Sequence, residues 1–221
     1  IDQPKRREIA DELLRRAGEA AGRIAAGIAL LQDEKVLTAF RLANKVMARA
    51  ARQRFTHTAP AGAMVPVPRW RPFQLAFVLL CLEGLIDESS DDREIADLLW
   101  FPTGGGKTEA YLGLIAFTIF LRRLCRKPDG VVALMRYTLR LLTAQQFERA
   151  ALLMCCCESI RRRRNDLGSR WIEVGLFVGR AASPLRVKDA KKALDLLAAN
   201  PGADTSRTGN PMQMGICAWC G

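Results

Sequence analysis

The sequence predicts an α/β fold, in which a parallel β-sheet is covered by helices and follows a helical N-terminal extension. From residue 95 onward, short apolar runs alternate with longer helical segments, in the order strand, helix, strand, helix, strand, helix. This alternation is typical of parallel sheets, because parallel strands need long crossover connections. The other two observations are a glycine cluster after the first apolar run and a 3.6-residue apolar period before residue 57.

Length and composition indicate an ordered protein with an anionic partner. The 221 residues correspond to one domain or one domain with an appendage, and 49% hydrophobic residues are enough for a core. The net charge of +11 favours a partner such as nucleic acid, although a solvated basic surface would give the same charge. A single histidine, His57, argues against a histidine-rich metal site or a Ser-His-Asp hydrolase.

Cysteine spacing and apolar runs indicate the compartment. The seven cysteines are unevenly spaced, unlike a secreted disulfide framework, so we expect a reducing cytoplasm. The longest apolar runs, such as Gly113–Leu121, are far shorter than the roughly 18 residues of a membrane span. No basic-then-apolar leader is seen, so we expect neither export nor membrane association.

The predicted elements divide the chain into three regions. Residues 1–56 carry the amphipathic helices of the extension, and residues 57–72 form a proline-rich linker. Residues 73–221 are expected to be the first part of the α/β domain. Its predicted strands are 95–101, 131–137 and 171–178, and its predicted helices are 73–85, 107–124, 139–164 and 187–199.

The glycine cluster predicts a phosphate-binding loop. The run Phe101-Pro102-Thr103-Gly104-Gly105-Gly106-Lys107-Thr108 lies between a predicted strand and a predicted helix. Glycines let backbone amides wrap around a polyphosphate, and the helix N-terminus favours the anion. Lys107 would contact the β- and γ-phosphates of ATP, and the Thr108 hydroxyl would hold Mg²⁺. Phe101 stands where the general pattern has glycine, and an ordinary glycine-rich turn is the alternative.

Three segments resemble motifs of superfamily 2 helicases. PTGGGKT at 102–108 resembles their motif I, and Gln74 resembles the upstream glutamine that reads adenine, with Trp70 available for stacking on the base. The segment 136–146 resembles motif Ia, which contacts the nucleic-acid backbone. That resemblance implies a P-loop, RecA-like sheet, with ATP contacts from Trp70, Gln74, Thr103, Gly104, Gly105, Gly106, Lys107, Thr108 and Glu109. It implies DNA contacts from Arg136, Thr138, Arg140, Thr143 and Gln145.

Three longer sequence segments restrict the resemblance to one branch of this superfamily. LLWFPTGGGKTEAY at 98–111, RPFQLAFVLL at 71–80 and RYTLRLLTAQQFERA at 136–150 resemble the helicase subunits of DISARM-type bacterial antiphage systems. The resemblance implies a DNA-dependent ATPase acting beside a partner subunit. The acidic Walker B box and the arginine finger of such motors are not seen, so we expect an incomplete RecA-like domain that does not hydrolyse ATP alone, with Lys107 and Thr108 as its catalytic residues.

The last residues resemble half of a zinc knuckle. Cys217 and Cys220 have the spacing at which two thiolates hold one Zn²⁺, although unligated cysteines or a redox pair fit the same spacing. Because two more ligands would be needed, and because the chain starts at Ile1, we expect the front part of a larger protein. A small P-loop kinase and a nucleotide-switched interaction module without translocation are the rival functions.

Overall fold

The computed structural model describes residues 3–60, 62–102, 104–127, 129–137, 140–179, 183–203, 205 and 209–220. Within these ranges the chain forms seven α-helices and two short 3₁₀ helices. The α-helices are α1 (Gln3–Leu30), α2 (Glu34–Thr58), α3 (Pro72–Leu80), α4 (Leu82–Ile86), α5 (Lys107–Leu124), α6 (Arg140–Arg161) and α7 (Val187–Ala199). The 3₁₀ helices are Asp91–Glu94 and Asn165–Leu167.

The predicted α/β fold with a P-loop, RecA-like parallel sheet is wrong, because the described residues contain no β-strand. All three candidate strands, 95–101, 131–137 and 171–178, are irregular and make no strand ladder. Several of their apolar side chains are exposed: Leu98 by 83%, Trp100 by 88% and Phe177 completely. An apolar run predicts burial, but a strand also needs a neighbouring backbone in register, which composition does not specify.

The chain divides into two compact units. The first comprises Ile1–Leu134 and Cys156–Trp171, and the second comprises Met135–Cys155 and Ile172–Gly221. In the second unit, α7 starts after Arg186 and buries Ala193 on its apolar face. No described helix of either unit is both long enough and apolar enough to cross a membrane.

The core of the first unit lies between α2, α3 and α5. Helix α2 starts at its N-cap Asp33, whose carboxylate accepts hydrogen bonds from the backbone N–H groups of Lys35 and Val36. Apolar residues recurring at helical spacing then bury one face of α2 against α5, which contributes the fully buried Phe117 and Phe120. The buried residues of α2 are Val36, Ala39, Leu42, Ala43 and Val46.

Helix α1 approaches α3 through a glycine. An ideal Cβ on Gly27 would lie 2.0 Å from the backbone oxygen of Leu79, so only glycine allows this approach. One turn before Gly27 in α1, Arg23 donates hydrogen bonds to Asp92 at 2.7 Å and to Asp97 at 2.6 and 2.9 Å. The close approach at Gly27 therefore positions α3 against α1, and the Arg23 bonds hold the segment around Asp92 and Asp97 to the same helix.

Candidate nucleotide-binding loop

The glycine loop turns sharply into α5 through two left-handed residues. Gly104 has φ +80° and Gly106 has φ +88°, a region that residues with a Cβ rarely adopt. Gly106 is the N-cap of α5, and the helix begins at Lys107. The turn is closed by a backbone hydrogen bond from Gly105 N to Pro102 O at 3.1 Å. The first amides of α5 therefore adjoin the loop, which is the arrangement that attracts an anion.

Gln74 and Arg71 hold the loop from α3. The Gln74 amide is buried, and its Nε2 donates to the backbone oxygen of Gly106 at 2.7 Å. Its Oε1 accepts from the backbone N–H of Arg71 at 2.8 Å, and the Arg71 guanidinium donates to Gly105 O at 2.7 Å. The sequence predicted that Gln74 reads adenine, and the structure instead shows both of its polar atoms bonded to protein backbone. Its contact with a nucleotide stays a prediction.

Lys107 is likewise bonded within the loop. Its ammonium donates to the backbone oxygen of Phe101, whose ring stacks on Phe73 with centroids 3.9 Å apart. Thr108 lies half-buried in the first turn of α5, whereas Thr103 lies outside the described residues. Glu109 accepts from the Arg54 guanidinium of α2 at 3.2 Å.

Trp70 packs beside the loop between two helices. Its indole N–H donates to Asn44 Oδ1 of α2 at 2.6 Å. Its ring lies against Gly113 of α5, where an added Cβ would come within 2.8 Å of Trp70 Cη2. Trp70 thus has a structural partner on each side, and its stacking on a base stays a prediction.

The predicted DNA contacts lie partly in the described residues of the second unit. Arg136 is exposed in an irregular segment, and Gln145 is exposed on α6. Thr138 and the side chains of Arg140 and Thr143 lie outside the described residues. That these five residues together contact DNA therefore stays a prediction.

The turn that joins Cys217 and Cys220 favours the thiolate form of Cys217. The backbone N–H groups of Cys220 and Trp219 lower the pKa of the exposed Cys217 thiol, and Trp219 N lies 3.4 Å from its Sγ. The hydrogen bond to Cys217 raises the pKa of Cys220. The donor set fits two ligands of a tetrahedral Zn²⁺ site. In the part of the chain that the structure describes, no three or more His, Cys, Asp or Glu side chains are placed together so that they could hold a metal ion.

Three residues around the loop were not predicted from the sequence. Arg71 is adjacent to the glutamine motif, and its position three residues before Gln74 is the signal that could have found it. Arg54 and Asn44 reach the site only through the packing of α2 on α5, so no local pattern indicates them.

Comparison with known proteins supports the resemblance to DISARM proteins. No protein-family model matches the chain. The DISARM protein DrmA of Bacillus paralicheniformis (strain ATCC 9945a / NCIMB 11709 / CD-2) is 41% identical to it over 205 residues, which cover 86% of this chain. The matched part is 18% of the relative, so the chain spans about a fifth of that protein's length. The chain is therefore similar to DrmA over most of its own residues.

Proposed function

We propose that this chain is the nucleotide-binding part of a DNA-dependent ATPase in a DISARM antiphage system. The observation that carries the proposal is the glycine loop at the N-terminus of α5, with Lys107 and Thr108 in the first turn. The 41% identity to DrmA supports the assignment to antiphage defence. Such a protein would act on DNA in the cytoplasm beside a partner subunit.

The loop residues have the chemistry that a triphosphate needs. The backbone N–H groups of Gly106 and Lys107, and that of Gly105 once it leaves Pro102 O, would donate hydrogen bonds to phosphate oxygens. The N-terminus of α5 would stabilise the negative charge of the phosphates. The Lys107 ammonium would leave Phe101 O and bind the terminal phosphates. The Thr108 hydroxyl would hold Mg²⁺, which neutralises the charge that develops during phosphoryl transfer.

Adenine recognition would use the glutamine next to the loop. The Gln74 amide lies within 2.7 Å of Gly106 O, so it is already at the loop, and an amide can both donate to and accept from a purine edge. Binding the base would require Gln74 to exchange its bond to Gly106 for one to adenine. Trp70 would stack only after its contact with Gly113 opens.

Hydrolysis would need groups outside this chain. Phosphoryl transfer depends on positioned carboxylates and cations, and no adjacent Asp-Glu pair follows Lys107 in the sequence. We propose that other parts of the protein supply them. DNA would bind at Arg136, Thr138, Arg140, Thr143 and Gln145, and Cys217 and Cys220 would supply half of a Zn²⁺ site.

A nucleotide-switched module without translocation is the second candidate. The observation that favours it is the internal bonding of the loop, since Gln74, Arg71 and Lys107 all donate to loop carbonyls. A nucleotide would replace these bonds and release α3 from the loop. That change would signal to a partner without any turnover.

The test is steady-state ATP hydrolysis by the full-length protein, without DNA and with single-stranded or duplex DNA. Lys107→Ala removes the phosphate ligand, and Lys188→Ala on α7 is the matched control for loss of one lysine. DNA-stimulated turnover that Lys107→Ala abolishes and Lys188→Ala preserves supports the ATPase. Nucleotide binding that depends on Lys107, without turnover, favours the module. Absence of nucleotide binding overturns both.

A further inference from the structure

Among the described helices, α2 has the largest excess of cationic over anionic side chains. Its 25 residues contain a single carboxylate, Glu34, at the first position. The cations along the helix are Lys35, Arg41, Lys45, Arg49, Arg52 and Arg54. A solvated surface helix ordinarily mixes both signs, as α1 does with its Glu12–Arg15 and Glu12–Arg16 pairs.

Three of these cations form one exposed stripe. Arg41, Lys45 and Arg52 are separated by four and seven residues, so they project within about 40° of one another at 3.6 residues per turn. All three are exposed, while the apolar face of α2 is buried against α5. At 1.5 Å per residue the stripe is roughly 16 Å long. We call these three residues the basic stripe.

The basic stripe has no neutralising partner among the described residues. Among the described residues no carboxylate lies within 4.0 Å of Arg41, Lys45 or Arg52, whereas the exposed cations Lys127 and Arg162 each pair with a glutamate. Like charges four residues apart destabilise a helix. An anion lying along the stripe would remove that repulsion.

We propose that the basic stripe binds the phosphate backbone of nucleic acid. One strand of a duplex presents a charge about every 3.4 Å, so the stripe spans enough phosphates to engage all three cations. Thr56 lies exposed on the same side of α2, and hydroxyls join arginine and lysine as the usual phosphate ligands. A membrane surface fits less well, because the apolar face such binding requires is buried in the protein core.

The proposal deepens the proposed function and rests on it for the identity of the nucleic acid as DNA. It adds a second DNA-binding surface, in the first unit, to the one predicted around Thr138–Gln145. The same helix also contacts the glycine loop, through Arg54 on Glu109 and Asn44 on Trp70. DNA on α2 would therefore lie on an element that directly touches the nucleotide site.

The experiment measures DNA binding by the full-length protein without nucleotide, using fluorescence anisotropy of a labelled single strand between about 50 and 200 mM salt. The test variant carries Arg41→Gln, Lys45→Gln and Arg52→Gln. The matched control carries Lys188→Gln, Lys191→Gln and Lys192→Gln, which removes the same charge from α7. Thermal unfolding of both variants verifies that these surface substitutions leave the fold intact. Anionic vesicles are titrated in parallel.

Loss of three phosphate contacts should lower the salt slope of log K by about 2. We expect the stripe variant to show this change and to bind at least about tenfold more weakly near 0.1 M salt, while the control keeps the original slope. Equal losses in both variants would show an effect of net charge alone and would overturn the proposal. The proposal would also be overturned if the stripe variant kept the original salt slope for DNA binding, or if it lost only the binding of vesicles.

Nucleotide binding, measured on the same samples, separates the two proposals. If the stripe variant binds nucleotide normally but shows a reduced salt dependence of DNA binding, both proposals stand. If no sample binds nucleotide and the slope still falls, the ATPase proposal fails and the stripe stands. If Lys107→Ala abolishes turnover while the stripe variant keeps its slope, the ATPase stands and the stripe is overturned.

Discussion

Replacing Gly27 by alanine tests the backbone contact that positions α3. The added Cβ would lie 2.0 Å from Leu79 O and 2.9 Å from Leu79 C, and contacts under 3.0 Å essentially do not occur. Both neighbours are backbone atoms, so no side-chain rotation relieves the clash. Helices α1 and α3 would have to separate by about 1 Å, which loses packing along their contact.

The expected magnitude is a balance of two effects. Overpacking of a buried contact typically destabilises by about 1–3 kcal/mol. Alanine in place of glycine inside a helix stabilises by about 1 kcal/mol. With a clash this severe, we expect Gly27→Ala to lower the free energy of unfolding by about 1–2 kcal/mol.

Gly22→Ala on the same helix is the matched control. Nothing lies within 4 Å of its ideal Cβ, so only the gain in helix propensity applies, and we expect stabilisation by up to about 1 kcal/mol. Urea unfolding followed by far-ultraviolet circular dichroism measures both variants. The two substitutions should shift the midpoint in opposite directions. Equal stability of the two variants would refute the close approach of α1 and α3.

Two further outcomes concern the loop and the cysteines. Gly106→Ala places a Cβ 2.7 Å from Gln74 Nε2 at a residue with φ +88°, whereas the Cβ of Gly104→Ala meets nothing within 4 Å. In the same urea assay Gly106→Ala should therefore lower the stability of the protein more than Gly104→Ala does. The reverse order would contradict the Gln74 contact. Iodoacetamide at pH 7.5 should label Cys217 before Cys81, as followed by peptide mass spectrometry. Burial raises the pKa of Cys81 to about 12, whereas backbone N–H groups lower the pKa of Cys217. Faster labelling of Cys81 would contradict this reasoning.

Helices of this chain were predictable because their signals are local. The helical composition of 107–124 predicted a helix there, and α5 has those bounds. The Asn200-Pro201-Gly202 stop predicted the end of the last helix, and α7 ends at Ala199. In both cases the signal lies within the helical segment or directly after it.

Strands were not predictable because their partners are not local. The run 95–101 is as apolar as a buried strand, yet Leu98 and Trp100 are exposed and the segment makes no ladder. Helical hydrogen bonds close within four residues, whereas those of a sheet join distant segments. An apolar pattern alone therefore distinguishes helices from loops better than it identifies strands.

Part of the loop environment was predictable and part was not. The sequence singled out Gln74 and the glycine cluster, and the structure brings them into direct contact at Gly106. The partner predicted for Gln74 was a base, whereas the amide here completes a backbone turn. Arg54 reaches Glu109 across 55 residues, so only the packing of α2 on α5 reveals it.

The internal bonds of the loop imply a threshold for the proposed nucleotide binding. Gln74, Arg71 and Lys107 each donate to a loop carbonyl, and hydrogen bonds of this kind contribute about 0.5–1.5 kcal/mol each, with larger values for charged donors. A nucleotide that uses the same donors must first break these bonds, and its phosphates must replace them with stronger charge-assisted ones. Adenosine alone offers no such replacement for Lys107. A triphosphate should therefore open the loop far more effectively than the nucleoside, and the difference arises from Lys107 rather than from Gln74.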